Sequence, residues 1–284
     1  MERDRSGPDT RRARFVVSYR GPAFHGAARN PGVRSVVGDI AAAIARVIGD
    51  EPTITLAGRT DAGVHALGQV ISLDLPRSLD LDDLARRVTR MCAPDLALRD
   101  PEWVEPDFDA RFSATARTYR YHLWNDPTPN PLLHQMVWHV PSALDLAAMD
   151  RAGRELLGEH DFSSFCRRPD TAGWEIGAVS MVRRILALEV SGSDPLGSGR
   201  DALVTVRITG TAFCHQMVRS IVGTLVDIGR GRLPGGAMPG ILAARDRSAA
   251  GQVAPADGLV LWSVDYSGRR WDDDQGGPDT LVKT

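Results

Sequence analysis

The sequence predicts an α+β fold made of two pseudo-symmetric β-α-β-β-α-β halves, ferredoxin-like, with antiparallel sheets flanked by helices and a cleft between them as the natural site. Three observations carry this. The hydrophobic period switches between 2 and 3.6 residues in the same order twice along the chain. At 284 residues the chain exceeds one ordinary domain of roughly 100 to 200 residues. Its composition, 43% hydrophobic and 25% charged, is that of chains that bury a core rather than of disordered or fibrous ones.

In the first half, alternating apolar residues predict strands at 14–19, 53–57, 69–75 and 96–104. Val36, Ile40, Ile44, Val47 and Ile48 recur at helical spacing behind Ser35, and Leu84, Val88 and Met91 do so behind Asp80. Serine and aspartate before such runs are helix N-caps. The second half repeats the order, with strands at 118–125, 185–190, 203–210 and 259–266 and helices at 146–157 and 214–228. The expected division is a disordered leader (1–12), an N-terminal half (13–112), a C-terminal half (113–267) and a disordered tail (268–284) whose one adhesive residue is Trp271. Residues 191–200 read as a solvated hairpin loop.

Composition excludes several classes. No uninterrupted apolar stretch approaches the roughly 20 residues of a membrane span, and the arginine pair near the start has no apolar segment behind it to make a secretory signal. Cys92, Cys166 and Cys214 are odd in number and widely spaced, which fits neither a disulfide framework nor a zinc site, so a reducing cytoplasm is the expected location. His134 and His139, five apart, share no helical face, and no metal site is expected. Nucleotide-binding glycine motifs, a nucleophile elbow and a metalloprotease motif are all missing. The net charge of −2 gives no global signal for nucleic acid, and of 34 basic residues only Lys283 is a lysine. Arginine forks nonetheless suit phosphates and stack on bases, so local clusters count.

The densest candidate is Gly58-Arg59-Thr60-Asp61-Ala62-Gly63-Val64-His65, between the second and third strands. Any tight turn uses such residues. They also let backbone approach a ligand while Asp61, a potential nucleophile or base, stands at a sheet edge beside Arg59 and His65. On helix 214–228, Arg219 borders the apolar stripe, either snorkelling or aimed into the cleft at a carboxylate. Strand 118–125 puts Tyr119, Tyr121 and Leu123 on one face and Arg120, His122 and Trp124 on the other. Tyr119 is a core residue or a surface for a flat substrate. Arg111, Arg117, Phe162, Phe165, Arg167 and Arg168 add arginines interleaved with aromatics, a pattern that suits unpaired RNA.

Taken together, GRTDAGVHALGQV (58–70), RFSATARTYRYHLWN (111–125), HDFSSF (160–165), AFCHQMVRSIVG (212–223) and APADGL (254–259) resemble the tRNA pseudouridine synthase A family, in family order, over residues 13–267. The resemblance implies a cofactor-free, metal-free isomerase converting uridine to pseudouridine at positions 38, 39 and 40 of the tRNA anticodon stem-loop. It further implies a cytoplasmic homodimer in which one tRNA contacts both subunits. By motif, Asp61 is the catalytic aspartate, Arg219 the arginine paired with it and Tyr119 the tyrosine stacked on the base. Arg59 helps displace the target nucleotide, and His65, Arg111, Arg117, Phe162, Arg167 and Arg168 complete the expected substrate contacts. The family's first-strand pattern Y-D-G-x-x-[YF]-x-G-W-Q is altered, with Arg20, Ala27 and Ala28 replacing Asp, Trp and Gln. An Asn and a Leu-Pro after the second helix become Thr89 and Cys92-Ala93. Two other readings share these features: a catalytically silent RNA-binding paralogue or tRNA-folding chaperone, and a sugar hydrolase using Asp61, which would require a second carboxylate.

Overall fold

The structure, a computed structural model, describes residues 10–167, 180–194 and 201–266. These fall into two compact units, one holding the residues up to Thr115 together with those from Leu261 on, the other Ala116–Val260. The division thus comes after Thr115 rather than after 112, and the last strand passes to the first unit at Leu261, although sequence assigned it to the C-terminal half. Alternation marks a strand but does not say which unit receives it.

In the first unit the order is β1 (Thr10–Tyr19), α1 (Val36–Ile48), β2 (Thr55–Leu56), β3 (His65–Pro76), α2 (Leu81–Cys92) and β4 (Leu96–Trp103). Strand β1 lies between β3 and β4, antiparallel to both, and β2 pairs antiparallel with β3. Phe15 faces Ile71 and Ala13 faces Leu73 across the β1–β3 ladder, and all four are buried. β1 begins within the expected leader, because Arg11 and Arg12 pair with Leu75 and Asp74 and the Arg12 guanidinium bonds the Asp74 carboxylate at 2.7 Å. A run of arginines hid the strand.

Ser35 caps α1 by accepting from the Gly38 amide, and Asp80 caps α2 by accepting from that of Asp83. Val36, Ile40 and Ile44 form the buried stripe of α1, and Leu84 and Val88 that of α2. Met91, expected in that stripe, is exposed, and the neighbouring Cys92 is buried at the end of the helix instead.

In the second unit, β5 (Ala114–Trp124, inside this unit from Ala116) is followed by β6 (Trp138–His139), α3 (Leu146–Arg154), β7 (Gly158–Asp161), β8 (Val182–Ser193), β9 (Leu203–Gly210), α4 (Met217–Gly229) and α5 (Met238–Ala244). Strand β10 (Leu259–Tyr266) then leads out of it. β9 lies between β5 and β8, antiparallel to both, with β7 on β8 and β6 parallel to β5. The elements β6, β7 and α5 are too short to show a period in sequence. Helix α4 starts at Met217, not at 214, because Gln216 adopts a left-handed conformation (φ 63°) and Met217 donates to the Cys214 carbonyl, closing a turn. α4 is buried nearly all round. Gly223 allows this, since a Cβ there would strike the Gln252 carbonyl.

Contrary to the sequence reading, Cys166 and Cys214 are paired as a disulfide, their Cα atoms 5.8 Å apart across 48 residues of sequence. Spacing alone does not encode such an approach. Beside the pair, the Arg167 amide donates to the His215 carbonyl at 3.0 Å. No helix among the described residues is long and apolar enough to cross a membrane. Residues 1–9, 168–179, 195–200 and 267–284 lie outside the described residues, and with them most of the leader, Arg168, part of the hairpin loop, and the tail with Trp271.

The cysteine pairing predicts that alkylation in denaturant without reductant adds one label, on Cys92, and that prior reduction raises this to three. Intact mass spectrometry reads the difference, and three labels without reductant would exclude the bond.

Candidate active site

Arg59, Asp61 and His65 share the connection from β2 to β3, and the surroundings of that connection explain its shape. The Gln69 side chain, fully buried, donates to the Gly58 carbonyl at 2.7 Å and accepts from the Gly58 amide at 3.3 Å. The Tyr19 hydroxyl shares a hydrogen bond with that of Thr60 at 2.8 Å, and the Thr60 carbonyl accepts from the Ala27 amide at 3.1 Å. Asp61 opens a turn closed by the Val64 amide on its carbonyl at 3.2 Å. Gly21 packs directly on Gly63 and Val64, where a Cβ would collide with backbone. These bonds brace the main chain at several points, so the turn presents Asp61, half-buried, and Arg59, exposed, from a fixed frame.

His65 does not fit the substrate contact expected of it. It is buried, and its Nδ1 accepts from the Gly21 amide at 3.2 Å. That bond makes it a brace between the end of β1 and the loop.

In the second unit, β5 carries Arg117 and Tyr119, and the 211–216 connection before α4 gathers several candidates. Tyr119 is nearly buried and meets Phe213 edge to face, ring centroids 5.2 Å apart. Arg117, also nearly buried, donates to the Thr211 carbonyl at 2.8 Å. Exposed Arg167 is tied to His215 through its amide. Phe162 departs from expectation. It is fully buried against His160 and Phe165 and packs inside the unit, leaving no face for a ligand. Arg117, nearly buried, likewise ties β5 to the 211–216 connection.

Arg219 on α4 is half-buried and donates from Nε to the Ala254 carbonyl at 2.8 Å, while the Ala254 amide donates back to the Arg219 carbonyl at 3.1 Å. Two motifs far apart in sequence are thereby clasped together. The Tyr121 hydroxyl donates to the Pro255 carbonyl at 2.8 Å. Burial pushes that hydroxyl far above the ordinary tyrosine range, with the Arg219 cation opposing the rise and the Asp257 anion adding to it. Arg219 is therefore within electrostatic reach of the sheet face that carries Tyr119 and Tyr121. Among the described residues, no group of three or more His, Cys, Asp or Glu is placed to hold a metal ion.

Sequence reasoning missed Tyr19, Gly21, Gln69, Phe213 and Ala254 as supports of these residues. Gln69, Phe213 and Ala254 lay inside quoted motifs, but nothing in a motif says which group a residue will reach.

Residues 152–267 match the model of a family described as tRNA pseudouridine synthase. The chain is 37% identical over 259 residues to tRNA pseudouridine synthase A of Geobacillus kaustophilus, covering 90% of this chain and 95% of that protein. It is 42% identical over 254 residues to the enzyme of the same name from Ralstonia nicotianae, covering 88% of each. With that of Cutibacterium acnes it shares 39% over 259 residues, 90% of this chain and 88% of the other. Among solved structures, a chain of a Cbf5-Nop10-Gar1 complex is 15% identical with a TM-score of 0.31, over 76% of this chain and 45% of that one, too distant to inform the site.

The Tyr19 bond to Thr60 predicts a pH signature. Burial pushes the Tyr19 hydroxyl up to about 12, against bonds to Thr60 and Gln69 that lower it. An unfolded chain ionises tyrosine near pH 10, releasing a proton that the folded state keeps. This contribution to stability is therefore complete below about pH 10 and is lost as the pH rises toward the folded value of about 12, a change of roughly 2.7 kcal/mol. Tyr19→Phe should cost about 1 kcal/mol at neutral pH and flatten this part of the alkaline decline. Urea unfolding at pH 8 and pH 11 measures both effects, and an unchanged pH dependence would contradict the assignment.

Proposed function

The chain belongs to the tRNA pseudouridine synthase A family, and on that premise we propose that it isomerises uridine to pseudouridine at positions 38, 39 and 40 of the tRNA anticodon stem-loop, with Asp61 as the catalytic residue. The reaction breaks the bond from uracil N1 to ribose C1′, turns the base and joins C5 to C1′. N1 gains a proton and C5 loses one. Atoms and electrons balance within the nucleotide, so the chemistry calls for no redox partner or bound cofactor.

The observation that carries the assignment is the frame around Asp61. Its turn is fixed by Gln69, Tyr19 and Gly21, and a main chain fixed in this way need not reorganise when the sugar arrives. The carboxylate either adds to C1′ or removes the C2′ proton to give a glycal, and both routes use the same side chain. Arg219 is the proposed cationic partner of Asp61. Tyr119 is the proposed stacking surface and the acceptor of the C5 proton. Its edge contact with Phe213 supports the ring in one orientation.

The uridine must leave its stack to be reached, at a cost of a few kcal/mol offset by phosphate and stacking contacts. Arg59, Arg111 and Arg167, all exposed, are the arginines suited to that work, with Arg59 filling the vacated space and Arg168 extending the set. The proposed architecture has two pseudo-symmetric halves flanking a cleft, completed by a second chain in a cytoplasmic homodimer.

The test is incubation of wild type, Asp61→Ala and Asp61→Asn with an unmodified tRNA bearing uridines at 38–40, followed by chemical mapping of pseudouridine. Wild type should convert these sites, and both variants should fall by at least about a thousandfold while still binding tRNA. Full turnover by Asp61→Asn would overturn the residue assignment. Absence of product from wild type, with tRNA bound, would favour the RNA-binding paralogue. Sedimentation at micromolar concentration should give a dimer, and monomer alone would remove the shared cleft.

A further inference from the structure

Phe112 is 79% exposed, an unusual position for a phenyl ring on a turn otherwise tied down on every side. Asp109 accepts from the amides of Arg111 at 2.8 Å and Phe112 at 2.9 Å. Its own amide donates to the Ser113 hydroxyl at 3.0 Å, and its carbonyl accepts from the Ser113 amide at 2.9 Å. Three strands of the same unit then hold the turn from outside. Arg12 of β1 donates to the Phe108 carbonyl at 3.0 Å. Ser72 of β3 accepts from the Ala110 amide at 3.1 Å. Tyr266 of β10 donates to the Ala110 carbonyl at 2.7 Å and packs on the Phe108 ring at 5.0 Å. Phe108 and Ala110 face inward, so the chain could have ended its apolar content there.

Instead it displays one ring outward with a guanidinium on its face, Arg111 Cζ lying 5.2 Å from the Phe112 centroid. The flanking residues Asp107, Arg111 and Thr115 are exposed and polar, so along the chain the ring stands alone rather than within an apolar run. A protein partner selects extended apolar patches. A lone aromatic beside an arginine suits an unpaired nucleobase, whose flat face stacks on the ring while its phosphate pairs with the guanidinium. Because the turn is already fixed, little ordering entropy opposes that contact.

We infer that Arg111 and Phe112 form a stacking platform for an unpaired nucleotide of the tRNA, with Phe112 the stacking residue and Arg111 the phosphate contact. This rests on the tRNA reading above. It adds a substrate contact that acts in binding and not in the bond exchange.

The experiment measures KM and kcat for pseudouridine formation on a tRNA transcript with wild type, Phe112→Ala, Phe112→Leu and Phe112→Trp. Each protein's melting temperature and sedimentation are recorded alongside. Phe112→Ala and Phe112→Leu should raise KM about tenfold and leave kcat within about twofold, and Phe112→Trp should restore KM, since an indole stacks and an aliphatic chain does not. Wild-type KM in Phe112→Ala would overturn the inference alone. So would a loss that Leu rescues as well as Trp, or one accompanied by dissociation of a dimer, which would mark an apolar contact with a second copy. A wild type that makes no pseudouridine would overturn the tRNA reading, and this inference with it.

Discussion

The main chain at residues 58–64 is the constraint around which the first unit is arranged. A connection between two strands loses its ladder partners, yet Ala57, Thr60 and Val64 within it are buried, and buried amides and carbonyls without partners are costly. Gln69 resolves much of this. Placed on the adjoining strand, it satisfies both polar groups of Gly58, and its oxygen also accepts from the Val70 amide. A glutamine amide has both donors and acceptors to offer, which a charged side chain at that position lacks. Tyr19, Gly21 and Ala27 close the other side. The turn that carries the aspartate is therefore braced by buried residues.

The second unit follows the same logic with different parts. Arg219 and Ala254 exchange hydrogen bonds, and Gly223 permits the close approach of helix to chain that the exchange requires. The 211–216 connection supports the Tyr119 ring through Phe213, the β5 edge through Thr211 and the 160–167 segment through Cys214 and His215. Arg219 thus has two tasks, a structural bond from Nε and an electrostatic influence felt at Tyr121. Guanidinium groups suit such double duty because their donors point in several fixed directions.

What sequence revealed and what it concealed divide along physical lines. Long amphipathic elements were legible: Leu203–Gly210 and Leu259–Tyr266 match the predicted strands, and α1 buries Val36, Ile40 and Ile44 of its predicted stripe while Val47 and Ile48 are half-buried. Periodicity fails where an element is too short, as in β6, β7 and α5, or where polar residues fill a paired edge, as at Arg11 and Arg12. For the site, the motifs singled out Asp61, Tyr119 and Arg219 together with His65 and Phe162, the last two of which the structure buries. A histidine or phenylalanine inside a functional motif serves the fold or the ligand equally well on paper, and only burial decides. The Cys166–Cys214 pair was concealed for a related reason, since nothing in a 48-residue separation reports tertiary proximity.

The altered first motif shows why a functional segment can lose marked side chains and keep its work. Of the contacts that 19–28 makes to the Asp61 loop, those that depend on residue identity come from the Tyr19 hydroxyl, the bare Cα of Gly21 and Gly26, which has a positive φ beside Thr60, and all three are retained. Others use main-chain donors. The Gly21 amide donates to the His65 ring and the Ala27 amide to the Thr60 carbonyl. Any residue except proline supplies such a donor. Ala27 is fully buried, so packing has closed around a methyl group where the family pattern places a tryptophan. Thr89, standing where that pattern has asparagine, still accepts from the Leu98 amide at 2.9 Å and ties α2 to β4. Within 20–28 the substitutions therefore leave the main-chain donors to the Asp61 loop in place, whereas Thr89 acts through its side chain.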